Sequence, residues 1–438
     1  MILKKASIFV GTLLTTSLAL ASNLTSDKFP VVTDLNVKLG AYASFESGFS
    51  NQNKLLHSEK KVSTNKEGFA FYNDAAMFVR ISNKINDVEY GGKIILVPTA
   101  KRKGAPTYNG SHIFVKSECG TVEVGSPIPV ASNMMISDGS IPTKYLKTSS
   151  SYLKQGTKLS PSFLTSEGCF VGDDLAASLD SAPYSSEPPR TINYYTPKFT
   201  IGDTSKVQIG ISYTPDTANT GIGKPSEKSD GIKKKTVGAG SLDRFEMDRS
   251  VKDAITAGIS LEQSFAENIE LKLALTGEYG KSAGNAKKVF SEKRVAISDT
   301  IVQVEEHTKH KLSNLRSYNI GGELKVNDFT YSACYCSFGK SLTTPEFHKA
   351  GRKSSYYSLG TAYKYNATTA KLSYFASEQF KNKVSSVKLN VSHLLAPGLK
   401  PYVEVSSYTL KGKPEFYNEL SHKTTKGVVT LVGIKLTL

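Results

Sequence analysis

The 438-residue sequence predicts an all-β fold, a closed antiparallel transmembrane β-barrel of about 16 strands with short turns at one end and long loops at the other. Three observations lead there. Apolar and polar residues alternate with period two in run after run. The breaks between runs alternate between short turns and long polar loops. Beyond the N-terminus, no stretch approaches the ~20 uncharged apolar residues of a spanning helix, which excludes a helical membrane protein.

The N-terminus indicates the compartment. Lys4 and Lys5 precede an apolar core from Ile8 to Leu20, and Ala19-Leu20-Ala21 has the small-residue form of a signal-peptidase site. Residues 1–21 are expected to be a signal peptide, and residues 22–438 a single barrel domain. The formal net charge is +16, which would ordinarily suggest nucleic acid, but an exported chain rarely meets it. The charge excess therefore needs another role. Aromatic residues are too frequent, and the charge balance too moderate, for a disordered chain.

Period two assigns the strands. Leu35 to Glu46 places odd residues on an apolar face and nearly every even residue on a polar one, as a strand wetted on one side requires. The same pattern recurs at Ile269–Thr276, Val384–Val391 and Leu431–Leu438. Strands are predicted near 33–47, 68–82, 88–97, 110–118, 121–126, 190–196, 206–214, 253–264, 269–279, 314–326, 329–339, 354–365, 368–378, 383–394, 399–410 and 427–438. Short breaks carry turn residues, as at Asn83–Asp87, Glu118–Gly120, Ala266–Asn268, Asn327-Asp328, Asn366-Ala367 and Ala396-Pro397-Gly398. Long breaks, at Asn51–Asn65, Pro98–Asn109, Pro127–Pro189, Asp216–Asp248 and Lys281–Lys311, are rich in Gly, Ser, Lys and Pro and are read as loops.

A soluble barrel of this width could not fill its interior with side chains. Lipid outside and water inside resolve the difficulty, and closure pairs every backbone amide in the hydrocarbon. Tyr318, Tyr356, Tyr402 and Tyr408, near strand ends, are expected in interfacial aromatic girdles. Cys334 and Cys336 point the same way from one strand and are poorly placed to bond each other, while Cys119 and Cys169 lie in a turn and a loop. All four are read as structurally incidental.

Five segments share a further likeness. They are Asp74–Phe78 with Val88–Lys93, His112–Lys116 with Cys119–Gly125, Ile192–Pro197, Leu395–Val405 and Gly433–Leu438. Together they resemble the general porins of the Gram-negative outer membrane, which are trimeric and 16-stranded, and the likeness spans essentially the whole mature chain. The resemblance implies a homotrimer, a loop after the fifth strand folded into the lumen, and passive diffusion of small hydrophilic solutes. Two departures stand out: the chain ends in Leu438 where the family usually has Phe, and the 127–189 connection is longer than the usual constriction loop.

Strand parity nominates the pore wall. If Val37 and Leu39 face lipid, Lys38 faces water, and the same rule turns Arg80, Lys93, Lys116, Lys272, Lys364, Lys371, Lys388, Lys400 and Lys435 inward. Acidic inward candidates are Glu46, Glu89, Glu123, Glu270, Glu323 and Glu404. The resemblance implies that loop acids Asp138, Glu167, Asp173, Asp174 and Asp180 face Lys38, Arg80, Lys93 and Lys116. The expected function is an outer-membrane channel for small solutes and ions with a mild anion preference. The alternatives are a surface or anchoring barrel without a significant open pore, and a soluble exported β-protein acting on sugars.

No catalytic motif completes itself. Gly280-Lys281-Ser282 and Gly339-Lys340-Ser341 lack the first glycine of a phosphate loop, and His307 and His310 lack further ligands for a metal. No enzyme, cofactor or metal is expected. Lys101-Arg102-Lys103 and Lys233-Lys234-Lys235 read first as solvated loop charge and second as contacts to lipopolysaccharide phosphates. Outer-membrane lipid and lipopolysaccharide are the expected surroundings.

Overall fold

A computed structural model describes residues 35–52, 67–97, 107–137, 164–173, 188–219, 235–239, 243–247, 250–283, 285–294, 301–304, 309–343, 353–379, 382–411 and 424–438. The expected signal peptide, Lys101-Arg102-Lys103, His307, and the lysines at 233 and 234 lie outside these residues. The strands are β1 (Asn36–Gln52), β2 (Glu67–Ile85), β3 (Val88–Val97), β4 (Thr107–Ser117), β5 (Gly120–Gly125), β6 (Thr191–Tyr195), β7 (Phe199–Ile201) and β8 (Ser205–Asp216). They continue as β9 (Lys235–Ala239), β10 (Asp243–Met247), β11 (Val251–Ala266), β12 (Ile269–Ser282), β13 (Asn285–Arg294), β14 (Ile301–Val304) and β15 (Lys309–Lys311). The last are β16 (Leu315–Val326), β17 (Phe329–Gly339), β18 (Ser354–Tyr365), β19 (Thr368–Gln379), β20 (Asn382–His393), β21 (Leu399–Lys411) and β22 (Thr424–Thr437). Two short helices, α1 (Val130–Met134) and α2 (Phe170–Asp173), lie between β5 and β6.

The main sheet closes on itself. Each strand pairs with its neighbour, and β22 returns to β1 in a continuous register from Tyr42↔Thr437 to Gln52↔Gly427. The result is a closed antiparallel barrel of 16 strands, with β7 as an extra short strand that shares β8 with β6. The seam runs to the last residue: the Ala41 amide donates to the Leu438 carbonyl at 3.1 Å, and the Leu438 amide to the Ala41 carbonyl at 2.8 Å. Closure leaves no sheet edge in the hydrocarbon, where an unpaired amide would cost several kcal/mol.

The turns follow from residue choice. Asn86, Asn327 and Asn366, in three of the tight turns, hold φ of 51°, 52° and 50°. Asparagine accepts this left-handed conformation better than other side chains. The alternation also holds. Val37, Leu39, Phe45, Leu273, Leu275, Ile320, Leu372, Val387 and Leu389 are exposed on the outer face. Their immediate neighbours Glu46, Ala274, Thr276, Asn319, Ser373 and Ser386 are buried within.

Two expectations need correction. Tyr318 is exposed on the outer face as a girdle residue would be, but Tyr356 and Tyr408 are almost wholly buried inside the barrel, and Tyr402 also points inward. Each sits at an inward position of its strand and is held there by packing or hydrogen bonding. Among the described residues, the outer tyrosines include Tyr90, Tyr213, Tyr279, Tyr318, Tyr331, Tyr335, Tyr357 and Tyr363. The breaks at Asp216–Asp248 and Lys281–Lys311 are not simple loops. They contain β9, β10 and β13 to β15, which form a separate antiparallel sheet. Most of these strands are only three to five residues long, too short for a period-two reading to detect. The four cysteines are free thiols.

The two faces should differ sharply in their tolerance of charge. Leu389→Lys, on the outer face of β20, is expected to destabilise the barrel in lipid by about 2–4 kcal/mol, the midplane cost for lysine. Asn390→Lys, one residue on and facing inward, should cost far less. Urea unfolding in liposomes checks both, and equal losses would contradict the assignment of faces.

Candidate functional site

The inner face is organised around the segment that follows β5. Helix α1 begins after Pro129 without a side-chain cap of its own, so its first amides need outside partners. The barrel wall supplies them: the Val130 amide donates to Ser212 Oγ at 2.7 Å, and the Ala131 amide to Thr256 Oγ1 at 3.3 Å. Asn193, fully buried on β6, donates to the Ile128 carbonyl at 2.8 Å and to Glu123 Oε2 at 2.9 Å. Asn133 donates to the Tyr195 hydroxyl at 2.9 Å. The wall is smooth beneath the segment. A side chain at Gly258 would come within 3.0 Å of Met134 Sδ, and one at Gly321 within 2.8 Å of the Ile136 carbonyl oxygen. Glycine at these inward positions lets the segment lie flat against β11 and β16. A cavity of about 470 Å³ remains beside α1, lined by Glu123, Asn133, Tyr195, Gln208, Glu262 and Lys272 among others.

A second stretch of the same connection crosses to other strands. The Leu164 carbonyl accepts a hydrogen bond from Ser377, and the Tyr356 hydroxyl bridges the Gly168 amide and carbonyl, both at 3.2 Å. Glu278, buried on β12, accepts from the Phe170 amide at 2.9 Å, the Val171 amide at 2.8 Å and the Ser317 hydroxyl at 2.5 Å. A buried carboxylate is tolerable only with such partners. Around these contacts Leu164 and Phe170 pack into a cluster with Cys334, Cys336, Phe338, Tyr356, Phe375, Val384 and Tyr408. The inner face of β17 to β22 is therefore apolar where the connection lies and polar elsewhere.

The nominated wall residues fall into separate groups. On β2 to β5, Arg80, Lys93 and His112 are cross-strand neighbours. Arg80 pairs with Glu89 at 2.8 Å and lies 4.4 Å over the Phe114 ring, while His112 and Glu123 are 3.9 Å apart. Lys116 stands opposite Glu89 in register. On β12 and β16, Lys272 pairs with Glu323 at 3.2 Å, and Glu270 with Lys325 at 3.9 Å. Lys364, Lys371 and Lys388 occupy inward positions of β18, β19 and β20. Lys400 and Lys435 are direct cross-strand partners, and Lys435 lies 5.4 Å from the Tyr42 ring centroid. Glu404 accepts from Asn390 at 3.3 Å and Ser406 at 3.4 Å, and Glu46 from the Tyr402 hydroxyl at 2.6 Å. Lys38 shares the face of Gly40 and Glu46 on β1. The ion pairs are partly solvated, so each contributes about 0–1 kcal/mol to stability. They act mainly by setting the local field.

The loop acids are brought together less completely. Glu167 lies 3.6 Å from Cys334 Sγ on β17, half the circumference away from β3 by strand order. Asp173 ends α2, and Asp138, Asp174 and Asp180 lie outside the described residues. Glu278 was absent from the sequence-based set, although it shares the inward parity of Glu270 and Lys272; that parity is the signal that finds it. Glu262, Lys206 and Lys325 are inward by the same rule. The docking roles of Ser212, Thr256 and Tyr356 carry no comparable signal.

The chain matches the Gram-negative porin family over residues 6–413. It is 37% identical to an uncharacterized protein of Rickettsia bellii, with 98% of each chain covered. It is 35% identical to one of Rickettsia prowazekii, with 92% of this chain and 93% of the relative covered. Among solved structures it is similar to an anion-selective porin from Comamonas acidovorans, with a TM-score of 0.53 and 13% identity over 92% of this chain and all of that one.

Glu278 anchors the second stretch, so Glu278→Ala should release it without opening the barrel. Each charge-assisted hydrogen bond lost is worth about 1.5–3 kcal/mol. The expected outcome in planar bilayers is a larger and noisier unit conductance than that of the parent protein. An unchanged conductance trace would show that the anchor is dispensable.

Proposed function

Because the chain belongs to the Gram-negative porin family, we propose that it forms a water-filled, passive diffusion channel in the outer membrane for small hydrophilic solutes and ions, with a mild preference for anions. The observation that carries this reading is the sidedness of the closed barrel. Ionised groups line its inner face, apolar groups its outer face, and the segment after β5 narrows the interior from within. A family of this kind performs no bond chemistry; passage is decided by width and field.

The preference for anions rests on the inward set, in which lysine and arginine outnumber the carboxylates, and on the partly balanced state of those carboxylates. Glu89, Glu270 and Glu323 each lie near a cation. Among the described residues, no carboxylate stands within ion-pairing distance of Lys93, Lys116, Lys364, Lys388 or Lys400. The selectivity of the Comamonas protein agrees with this reading. Family membership supports a homotrimer surrounded by outer-membrane lipid and lipopolysaccharide, and residues 1–21 have the form of the export signal that would deliver the chain there. Small solutes would be sorted by the field between the Arg80 and Lys93 region and the acids of the inward connection.

A second reading is a barrel with a structural or surface role and no significant pore. It draws on the apolar seal of Leu164 and Phe170 against β17 to β22, which occupies part of the interior. Single-channel recording separates the two, since an occluded barrel gives no defined conductance step. In a KCl gradient the reversal potential is expected to show anion preference, and Arg80→Glu with Lys93→Glu is expected to move it toward cations. Cation preference in the parent protein would overturn the proposed selectivity.

A further inference from the structure

The segment after β5 is seated on glycines and covers a row of charges. Val130, Met134 and Ile136 lie over Gly210, Gly258 and Gly321, where a side chain would come within 2.8, 3.0 and 2.8 Å of them. One or two inward positions nearer the short turns, Lys206, Glu262, Lys272 and Glu323 are successive cross-strand partners on β8, β11, β12 and β16. Positive and negative groups therefore alternate along the wall below the segment. The cavity of about 470 Å³ lies between segment and row, bounded by Met134 and Met135 on one side and by Glu262 and Lys272 on the other, with Glu123 and Tyr195 completing it. Its size is within the range of about 300–1,000 Å³ usual for small-molecule sites.

The groups around this cavity have bonding capacity left over. Tyr195 is 7% exposed; its hydroxyl accepts from Asn133 at 2.9 Å and from Asn193 at 3.5 Å, and its own proton has no acceptor among the described residues. A buried donor without an acceptor is costly, which favours a ligand that supplies one. Among the described residues, Glu262 accepts from Lys198 through Oε1 alone, at 2.7 Å, and Lys272 gives one of its three ammonium protons, to Glu323 at 3.2 Å. Both pairs are partly solvated, so a ligand would displace water from them and break no buried bridge. A solute with a single charge meets both an attracting and a repelling group here. A dipolar solute satisfies both signs: its ammonium faces the Glu123 and Glu262 carboxylates, its carboxylate takes protons from Lys272 and Tyr195, and an apolar remainder lies against Met134 and Met135.

We propose that the cavity on the short-turn side of α1 is a binding site for small zwitterions, of which α-amino acids with an apolar side chain are the matching class. The assignment rests on the reading of the protein as an open channel, and it gives that channel a solute class. The site is held by β5, β6, β8, β11 and β12, apart from the Arg80 and Lys93 group on β2 and β3.

The test uses the full protein in planar bilayers in KCl, with L-leucine as the probe and leucinamide, N-acetyl-leucine and glucose for comparison. Leucine is expected to reduce the current in a saturable way. Leucinamide keeps only the cation and N-acetyl-leucine only the anion, so each should need about a 10-fold higher half-blocking concentration, the equivalent of one charge-assisted hydrogen bond. Lys272→Gln and Glu262→Gln should each raise the value for leucine about 10-fold on the same scale. Tyr195→Phe, which leaves the charge unchanged, should raise it about 3-fold, on the scale of one neutral hydrogen bond. A defined conductance step for each variant shows that it has folded. Equal block by leucine and glucose, equal block by leucine and N-acetyl-leucine, or a half-blocking concentration unmoved by the three substitutions would overturn the site. Absence of leucine block in a protein that gives a defined conductance step overturns the site alone. Absence of any conductance step overturns the channel reading beneath it.

Discussion

Closure of the hydrogen-bond ladder is the constraint from which the other features follow. In hydrocarbon every backbone amide must find a partner within the protein, and a sheet achieves this only by having no edge. Here the last residue takes part, with Leu438 and Ala41 exchanging both of their backbone hydrogen bonds. Once the sheet is a cylinder, period two ceases to be a local preference and becomes a division of space. One set of side chains meets lipid and the other meets the interior, and a one-residue slip anywhere would exchange them.

The interior then poses a different problem. Sixteen strands enclose more volume than wall side chains can fill, and the chain uses the connection after β5 to occupy part of it. That connection brings unpaired amides into a confined space, and each described anchor satisfies some of them. Ser212 and Thr256 serve the start of α1, Tyr356 serves Gly168, and Glu278 serves the start of α2. Apolar packing completes the docking on the β17 to β22 side. The water path is left to the regions where the wall is charged.

Charge in such an interior is felt more strongly than on an open surface, because field lines are focused between low-dielectric walls. Described ion pairs on β2 to β5 and on β12 with β16 set positive and negative residues across from one another, and further pairs join Lys198 to Glu262, Lys281 to Asp253 and Lys383 to Glu378. On β18 to β20 the inward positions carry Lys364, Lys371 and Lys388.

The sequence alone determined the strands of the barrel, their faces and their tight turns. Leu273, Leu275 and Thr276 declare their sides through alternation, and Asn86, Asn327 and Asn366 mark turns because few other side chains adopt a positive φ readily. The inward lysines were legible for the same reason. Other features depended on what lies opposite a residue after some sixteen strands have closed. Tyr356, Tyr402 and Tyr408 share the inward parity of Lys364 and Lys400, so their side was legible, but that Tyr356 holds the docked connection and Tyr402 reaches Glu46 was not. The partnership of Glu278 with Phe170 and Val171 joins residues more than a hundred positions apart. A linear sequence records which face a side chain takes, because that follows from its own backbone; it does not record which distant group it meets there, because only the closed cylinder sets that distance.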